Sequence, residues 1–170
     1  MLKFHNPGST AAPNGAYSHG AEVAPNARWL FVAGQIPVRP DGTIPATIEE
    51  QTEVVWQNIL AVLADAGMGI SDVVKITSFL TRYENFARFA QVRAGFLGSH
   101  RPASTSVIIS ALAKPEFLVE VEAVAAKAMA PGKAAARPPA RRAGKSRKRS
   151  KRSSPSRWCS LPRCSRCSRS

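Results

Sequence analysis

The feature that most constrains the fold is the segment 118–125, LVEVEAVA, in which side-chain character changes with a period of two residues. Alternate residues of a β-strand lie on opposite faces, so Glu120 and Glu122 would share one face, and the other face would be apolar. An ionised carboxylate is costly inside an apolar core unless it is paired or hydrogen-bonded. The acidic face is therefore expected to be solvated or to line a site, and the residues by themselves favour the solvated alternative.

This strand belongs to a longer segment, 101–126, which is predicted to form two strands joined by a short loop at Lys114-Pro115-Glu116. Runs rich in β-branched and aromatic residues predict further strands upstream, at 2–5, 20–23, 29–33 and 73–80. The strands 20–23 and 29–33 are expected to form a hairpin. The strand 73–80 is expected to pair with the strand that precedes the first helix, which gives a βαβ unit.

Two stretches have the apolar period of helices. The first, 47–66, opens on a Thr47-x-x-Glu50 capping box and ends before Gly67. The second covers about 85–97, ends before Gly98, and carries an aromatic stripe that we interpret as core. The residues that this helix presents are Phe86, Phe89, Ala90, Arg93, Phe96 and Leu97. The order β-β-α-β-α-β-β predicts an α+β sandwich with both helices on one face of a mixed sheet.

The strand 29–33 stops at Gly34, beside the turn that contains Pro37. A glycine at a strand end admits either a β-bulge or the close approach of a ligand. On the sequence alone the bulge is favoured.

Charge divides the chain into two parts. Residues 1–130 contain ten Lys or Arg and eleven Asp or Glu, whereas residues 131–170 contain fourteen Lys or Arg and no acid. We interpret 1–130 as a folded domain and 131–170 as a disordered basic tail. Such a tail would bind nucleic acid or any other polyanion without sequence preference, and an extension without a selected function is the alternative. Its cysteines, Cys159, Cys164 and Cys167, lack a fourth ligand for a cluster.

The chain nowhere has eighteen consecutive apolar residues, and its N-terminus lacks the apolar run of a secretory signal. The segment 1–130 also has no cysteine, which fits a reducing compartment. A soluble cytoplasmic protein that does not bind membranes is expected.

Seven segments together resemble, in order and spacing across about 14–128, the RidA (YjgF/YER057c/L-PSP) family. They are Gly15-Ala-Tyr17-Ser, Ala33-Gly34-Gln35-Ile36-Pro37, the helix at Thr47, Asp72-Val-Val-Lys-Ile-Thr, Asn85-Phe-Ala, Arg101-Pro-Ala and Val119-Glu120-Val-Glu122-Ala-Val-Ala. The resemblance implies a chorismate-mutase-like two-layer α+β fold and a homotrimer with small-molecule clefts at the subunit interfaces. It also implies hydrolysis of reactive enamine or imine intermediates, such as 2-aminoacrylate, to a 2-keto acid and ammonia, with no metal or organic cofactor.

The resemblance also implies site residues. Tyr17 keeps the family's tyrosine, Gly34 its glycine beside the ligand, and Glu120 the carboxylate proposed to order water. Ala33 stands where many members have a hydroxyl, and Ser106 where many have cysteine. The candidate catalytic residues are thus Glu120 and Tyr17, and the candidate substrate-binding residues are Gly34, Ser104, Ser106 and Ala33.

Ser104 departs from the family, which has at this position an arginine that holds the substrate's carboxylate. Loss of a charge-assisted, bidentate contact is expected to cost about 10- to 200-fold in binding or rate. The chain thus resembles an arginine-lacking branch, and Arg93 and Arg101 are interpreted as surface residues that could in principle reach the cleft. A non-catalytic trimeric metabolite-binding protein is therefore the alternative to an imine hydrolase.

Other functions have less support from the residues. His5, His19 and His100 have no metal-ligand spacing, so no metal is predicted. An endoribonuclease would need an acid/base pair with basic phosphate contacts, and the segment 1–130 shows no such group.

Overall fold

The computed structural model describes residues 2–129, and the predictions made for the tail at 131–170 fall outside this range. Two short 3₁₀ turns, Ile70–Asp72 and Tyr83–Asn85, lie between the main elements. The main elements in chain order are β1 (Leu2–His5), β2 (Gly20–Val23), β3 (Ala27–Gln35), α1 (Ile48–Asp65), β4 (Val73–Leu80), α2 (Phe86–Leu97), β5 (Ala103–Ile108) and β6 (Val119–Ala128).

The central sheet has four strands in the order β3-β6-β4-β5. Strand β6 runs antiparallel to both β3 and β4, while β4 and β5 are parallel, so the sheet is mixed. Helices α1 and α2 pack on each other and cover one face of it. The predicted α+β sandwich with two helices on one face is confirmed.

Two pairing predictions and one loop prediction are wrong. Strand β2 pairs with β1 in a separate two-stranded sheet, not with β3 as a hairpin. Strand β4 pairs with β6, which lies between β4 and β3, so the β3-α1-β4 unit is split by an inserted strand. The connection between β5 and β6 spans ten residues, 109–118, and the two strands are not neighbours. Strand β6 takes the central place because it is the longest strand and its inward face is continuously apolar.

Both predicted helices are confirmed. The Thr47 hydroxyl accepts a hydrogen bond from the Glu50 amide at 3.3 Å and donates to Glu50 Oε2 at 2.9 Å. Gly98 ends α2 with φ of 55°, a left-handed conformation that glycine adopts without the strain of a side chain. The stripe on α2 is only partly core, because Phe89 is fully buried whereas Phe86 keeps 39% of its surface exposed.

The alternation in β6 is also confirmed. Val119 and Val121 are buried against the helices, whereas Glu120 is half-buried and Glu122 is exposed on the opposite side of the sheet. We call this opposite side the outer face. Along the register of the strands it carries Trp29, Phe31, Ala33, Lys75, Thr77, Phe79, Thr105, Val107, Glu120, Glu122 and Val124.

Candidate functional site

The residues predicted to form the site fall into two groups within one chain. Tyr17, Ser104 and Ser106 line a cavity of about 610 Å³ between α2, β5 and the loop at 14–17, which we call the helix-side pocket. Ala33, Gly34 and Glu120 do not line this pocket. They lie on β3 and β6, where these strands meet in the central sheet.

The loop that carries Tyr17 is attached to the start of β5 by backbone contacts. The Ser18 amide donates to Pro102 O at 3.0 Å, and Ser18 forms an isolated parallel bridge with Ala103. The Tyr17 amide donates to Gly15 O at 2.9 Å, which closes a tight turn. These contacts place the Tyr17 side chain near the β5 side chains that face α2.

The helix-side pocket has a mainly apolar helical wall and a polar strand wall. The helical wall contains Phe86, Ala87, Ala90 and Ala94, with Gln91 and Arg93 as its polar members. Ser104 and Ser106 follow each other with a spacing of two on β5, so both hydroxyls lie on the same side of the strand. Arg93 is the single charged side chain among the described residues that line the pocket.

The interpretation of Arg93 as a surface residue is wrong. Its side chain is only 5% exposed, and its Nη1 donates to Ser104 Oγ at 3.2 Å. The guanidinium also lies 5.4 Å from the centre of the Phe89 ring. The residue therefore places a cation beside the hydroxyl that occupies the family's arginine position.

The Arg93 guanidinium is incompletely paired within residues 2–129. Its buried Nε has no hydrogen-bond partner there, and no acidic side chain forms an ion pair with it in that range. Burial lowers the pKa of Arg93, because desolvation disfavours the charged form. Arginine nevertheless stays protonated in proteins, so the pocket holds a positive charge.

Arg101 lies outside the helix-side pocket, in agreement with its interpretation as a surface residue. Its Nη1 donates to the carbonyl oxygens of Gly98 at 2.6 Å and His100 at 2.9 Å, just beyond the end of α2. It does not line the helix-side pocket. Of the two arginines considered, only Arg93 reaches the pocket.

Gly34 and Glu120 form the second group. The register between β3 and β6 shifts between Val32 and Gln35, so the predicted bulge at Gly34 is confirmed. A Cβ added at Gly34 would overlap Glu120 Oε1 and lie 2.8 Å from Glu120 Cδ. The absence of a Cβ at Gly34 is therefore what lets the Glu120 carboxylate lie this close to β3.

The remaining candidates contact structural partners. His5 lies 2.8 Å from Glu22, His19 bonds Ala11 O, and His100 bonds Val73 O, each through Nε2. Within residues 2–129 there is no cluster of three His, Cys, Asp or Glu side chains that could hold a metal ion. No helix in that range is long and apolar enough to cross a membrane.

Sequence reasoning missed the contribution of α2 to the pocket. Phe86, Ala90 and Arg93 recur at the spacing of one helical face, as do Ala87, Gln91 and Ala94. An arginine within an otherwise apolar stripe was the available signal, since a guanidinium on a core-facing position needs a partner. The family's arginine position, which is Ser104 in this chain, lies on β5, so the sequence alone placed the expected cation on that strand and not on α2.

The fold and the pocket define a small α+β protein with a cationic cavity of small-ligand size between a helix and an edge strand. The sequence model of the family described as "Endoribonuclease L-PSP" matches residues 8–127. A RutC family protein of Pyrococcus abyssi is 39% identical over 117 residues, which cover 68% of this chain and 89% of that protein.

A further relative is TdcF of Escherichia coli strain K12, whose name describes it as a candidate reactive intermediate deaminase. It is 32% identical over 117 residues, covering 66% of this chain and 88% of TdcF. This chain belongs to the RidA (YjgF/YER057c/L-PSP) family.

Solved structures agree with this assignment. YyfB of Yersinia pestis, a member of the Rid protein family, has a TM-score of 0.66 and 30% identity, covering 73% of this chain and 97% of YyfB. E. coli TdcF with bound serine has a TM-score of 0.57 and 30% identity, covering 74% of this chain and 99% of TdcF.

Proposed function

We propose that this protein is a RidA-type enamine/imine hydrolase whose site is completed across the interfaces of a homotrimer. The observation that carries the proposal is the division of the site residues into two groups. Tyr17, Ser104 and Ser106 face the helix side, whereas Gly34 and Glu120 lie where β3 meets β6. A second copy that covers the outer face would bring its neighbour's pocket beside Glu120.

The outer face supports an interface between subunits. Phe31 is 76% exposed, Trp29 48% and Val107 38%, and all three lie on this one side of the sheet. Trp29 and Phe31 lie two residues apart on the same face of β3, so their exposed rings form an apolar patch there, and such a patch favours association. Light scattering of the chain at micromolar concentration should give the mass of three subunits, and a monomer mass would remove the interface site.

The reaction needs no organic cofactor or redox step. Water adds its oxygen to the C=N carbon of the imine, and the nitrogen takes up a proton. The C–N bond of the resulting carbinolamine then breaks, so that ammonia leaves and a 2-keto acid remains. Glu120 takes the proton of the attacking water and passes it to the imine nitrogen in the first step. In the second step it takes the proton of the carbinolamine hydroxyl and passes it to the leaving nitrogen as the C=O bond forms. Tyr17 orients the substrate through its hydroxyl.

The test compares two carboxylates on the same strand. Glu120→Gln should lower kcat about 100-fold or more, because the amide cannot take the proton from water. Glu122→Gln, two residues along on the same face, should leave kcat near its original value. An amino-acid oxidase supplies the imine, and the 2-keto acid product is followed. Equal rates for Glu120→Gln and the unchanged protein would overturn the assignment of the base.

The second candidate is a non-catalytic trimer that binds a metabolite in the same cleft. The serine at Ser104, where the family has arginine, favours it, and the serine bound to E. coli TdcF shows that a relative holds a small amino acid. Ligand binding without any acceleration of imine hydrolysis would select this candidate over the hydrolase.

The basic tail supports an additional interaction with nucleic acid. Its fourteen positive charges would bind DNA or RNA of any sequence, with affinity that falls steeply as salt rises. Truncation after Ala130 leaves a chain with a net charge of −1, which should bind neither. Binding that survived truncation would place the interaction on the domain and support the ribonuclease function that the family's description names.

A further inference from the structure

Arg93 is a buried cation that its own fold does not fully satisfy. Removing a guanidinium from water is costly unless charges or hydrogen bonds replace its hydration. The one hydrogen bond that its side chain makes within residues 2–129 goes to the neutral hydroxyl of Ser104. The buried Nε lacks a partner in the same range. Such an arrangement costs stability and is explained if an anion completes it.

The surroundings of Arg93 indicate which kind of anion fits. No acidic side chain lines the helix-side pocket among the described residues, and no second cation does either. The hydroxyls of Ser104, Ser106 and Tyr17 can donate to the same anion. Besides Arg93, the helical wall consists of Phe86, three alanines and the neutral amide of Gln91, so it is mainly apolar and suits a short apolar substituent. The complementary ligand carries one negative charge and a compact apolar body.

We propose that Arg93 binds the carboxylate of a small monoanionic 2-imino or 2-oxo acid in the helix-side pocket, with Ser104 holding the guanidinium in place. The cation that the family carries on β5 is supplied here from α2. This inference rests on the proposed function for the identity of the ligand class. The cationic pocket itself stands on the described geometry.

This assignment predicts selectivity as well as affinity. A planar guanidinium can meet both oxygens of a carboxylate, which fixes the plane of the ligand as well as its position. A dicarboxylate would bring a second negative charge against the apolar wall of Phe86 and Ala90. Among the described residues, no second cation lines the pocket to pair with that charge. Monocarboxylates with short apolar side chains should therefore bind more tightly than dicarboxylates of similar length.

The main test is calorimetric titration of the full chain with 2-oxobutanoate and with its uncharged primary amide. Arg93→Gln should weaken 2-oxobutanoate binding by about 10- to 150-fold, because a charge-assisted contact is lost, and should leave the amide unaffected. The matched control is Arg88→Gln on the same helix, because Arg88 pairs with Glu49 outside the pocket. Measurement at about 150 mM salt limits diffuse attraction by the basic tail in every variant.

A second variant tests the same contact from the strand side. Ser104→Asp places a carboxylate beside Arg93 within the chain itself. It should raise the midpoint of thermal unfolding and abolish 2-oxobutanoate binding, since the guanidinium is already occupied. Ser104→Asn introduces a side chain of nearly the same shape as aspartate without the charge, so it should not raise this midpoint and should weaken 2-oxobutanoate binding without abolishing it.

The outcomes separate this inference from the proposed activity. Equal 2-oxobutanoate affinity in Arg93→Gln and the unchanged protein, or no preference for the carboxylate over its amide, would overturn the inference even if imines are hydrolysed. Arg93-dependent binding without hydrolysis would support the inference and count against the enzyme.

Discussion

The helix-side pocket and the outer face differ in how much of their structure one chain supplies. In the pocket, backbone contacts fix the loop of Tyr17 on β5, and Arg93 reaches Ser104 from α2. On the outer face, the Glu120 carboxylate lies against Gly34, and Trp29 and Phe31, further along β3, keep exposed apolar surface. The pocket thus carries the buried cation on which the proposed anion site rests, whereas the outer face carries the exposed apolar surface on which the proposed subunit contact rests.

The largest expected effect comes from breaking the outer face. Phe31→Asp would bury a carboxylate in an apolar interface, so the assembly should dissociate to monomers and imine hydrolysis should fall about 100-fold or more. Tyr83→Asp is the matched control, because Tyr83 is 79% exposed on a turn away from the outer face. Size-exclusion chromatography with light scattering and the imine assay report both changes. A trimer in Phe31→Asp would show that subunits meet elsewhere.

A comparison within α2 tests where core ends and pocket begins. Phe89 is fully buried, so Phe89→Ala should lower the free energy of unfolding by about 3–5 kcal/mol. Phe86 keeps 39% of its surface exposed at the pocket, so Phe86→Ala should cost less than about 1.5 kcal/mol and should instead weaken ligands with apolar substituents. Urea denaturation measures both, and equal losses of stability would show that Phe86 is core.

The sequence predicted the elements of this fold better than the contacts between them. The period of two in β6 and the capping box at Thr47 are local signals, and both features occur where they were expected. Strand partners are not encoded locally, so the insertion of β6 between β3 and β4 was missed. The same limit hid Arg93, because its contact with Ser104 depends on how α2 packs over β5.

A double-mutant cycle can measure whether Gly34 affects kcat only through the position of the Glu120 carboxylate. A Cβ at Gly34 would displace the Glu120 carboxylate, whose side chain can move, so Gly34→Ala should lower kcat about 10-fold with little loss of stability. If the effect acts only through Glu120, the double variant with Glu120→Gln should be no slower than Glu120→Gln alone. Additive losses in this cycle would indicate that the glycine has its own contact with the ligand.

The smallest expected effect is a change of the free energy of unfolding with pH, which Lys75 on the outer face should cause and Arg93 in the helix-side pocket should not. Burial lowers the pKa of Lys75 on the outer face below its ordinary 10.5, and Glu122 partly offsets this by favouring the charged form. Between the lowered pKa and 10.5 the unfolded chain binds more protons than the folded one, so this contribution to stability rises with pH. Arg93 adds no such rise, because it stays charged throughout.

Lys75→Met and Lys75→Arg should both abolish this small rise in urea denaturation between about pH 8 and about pH 11, because neither side chain titrates there. Lys114→Met, at an exposed position, should retain it. Coverage of the outer face by a second subunit would desolvate Lys75 further, so the rise should be larger in the assembled protein than in Phe31→Asp. Identical pH profiles for those two proteins would mean that Lys75 lies outside any subunit interface.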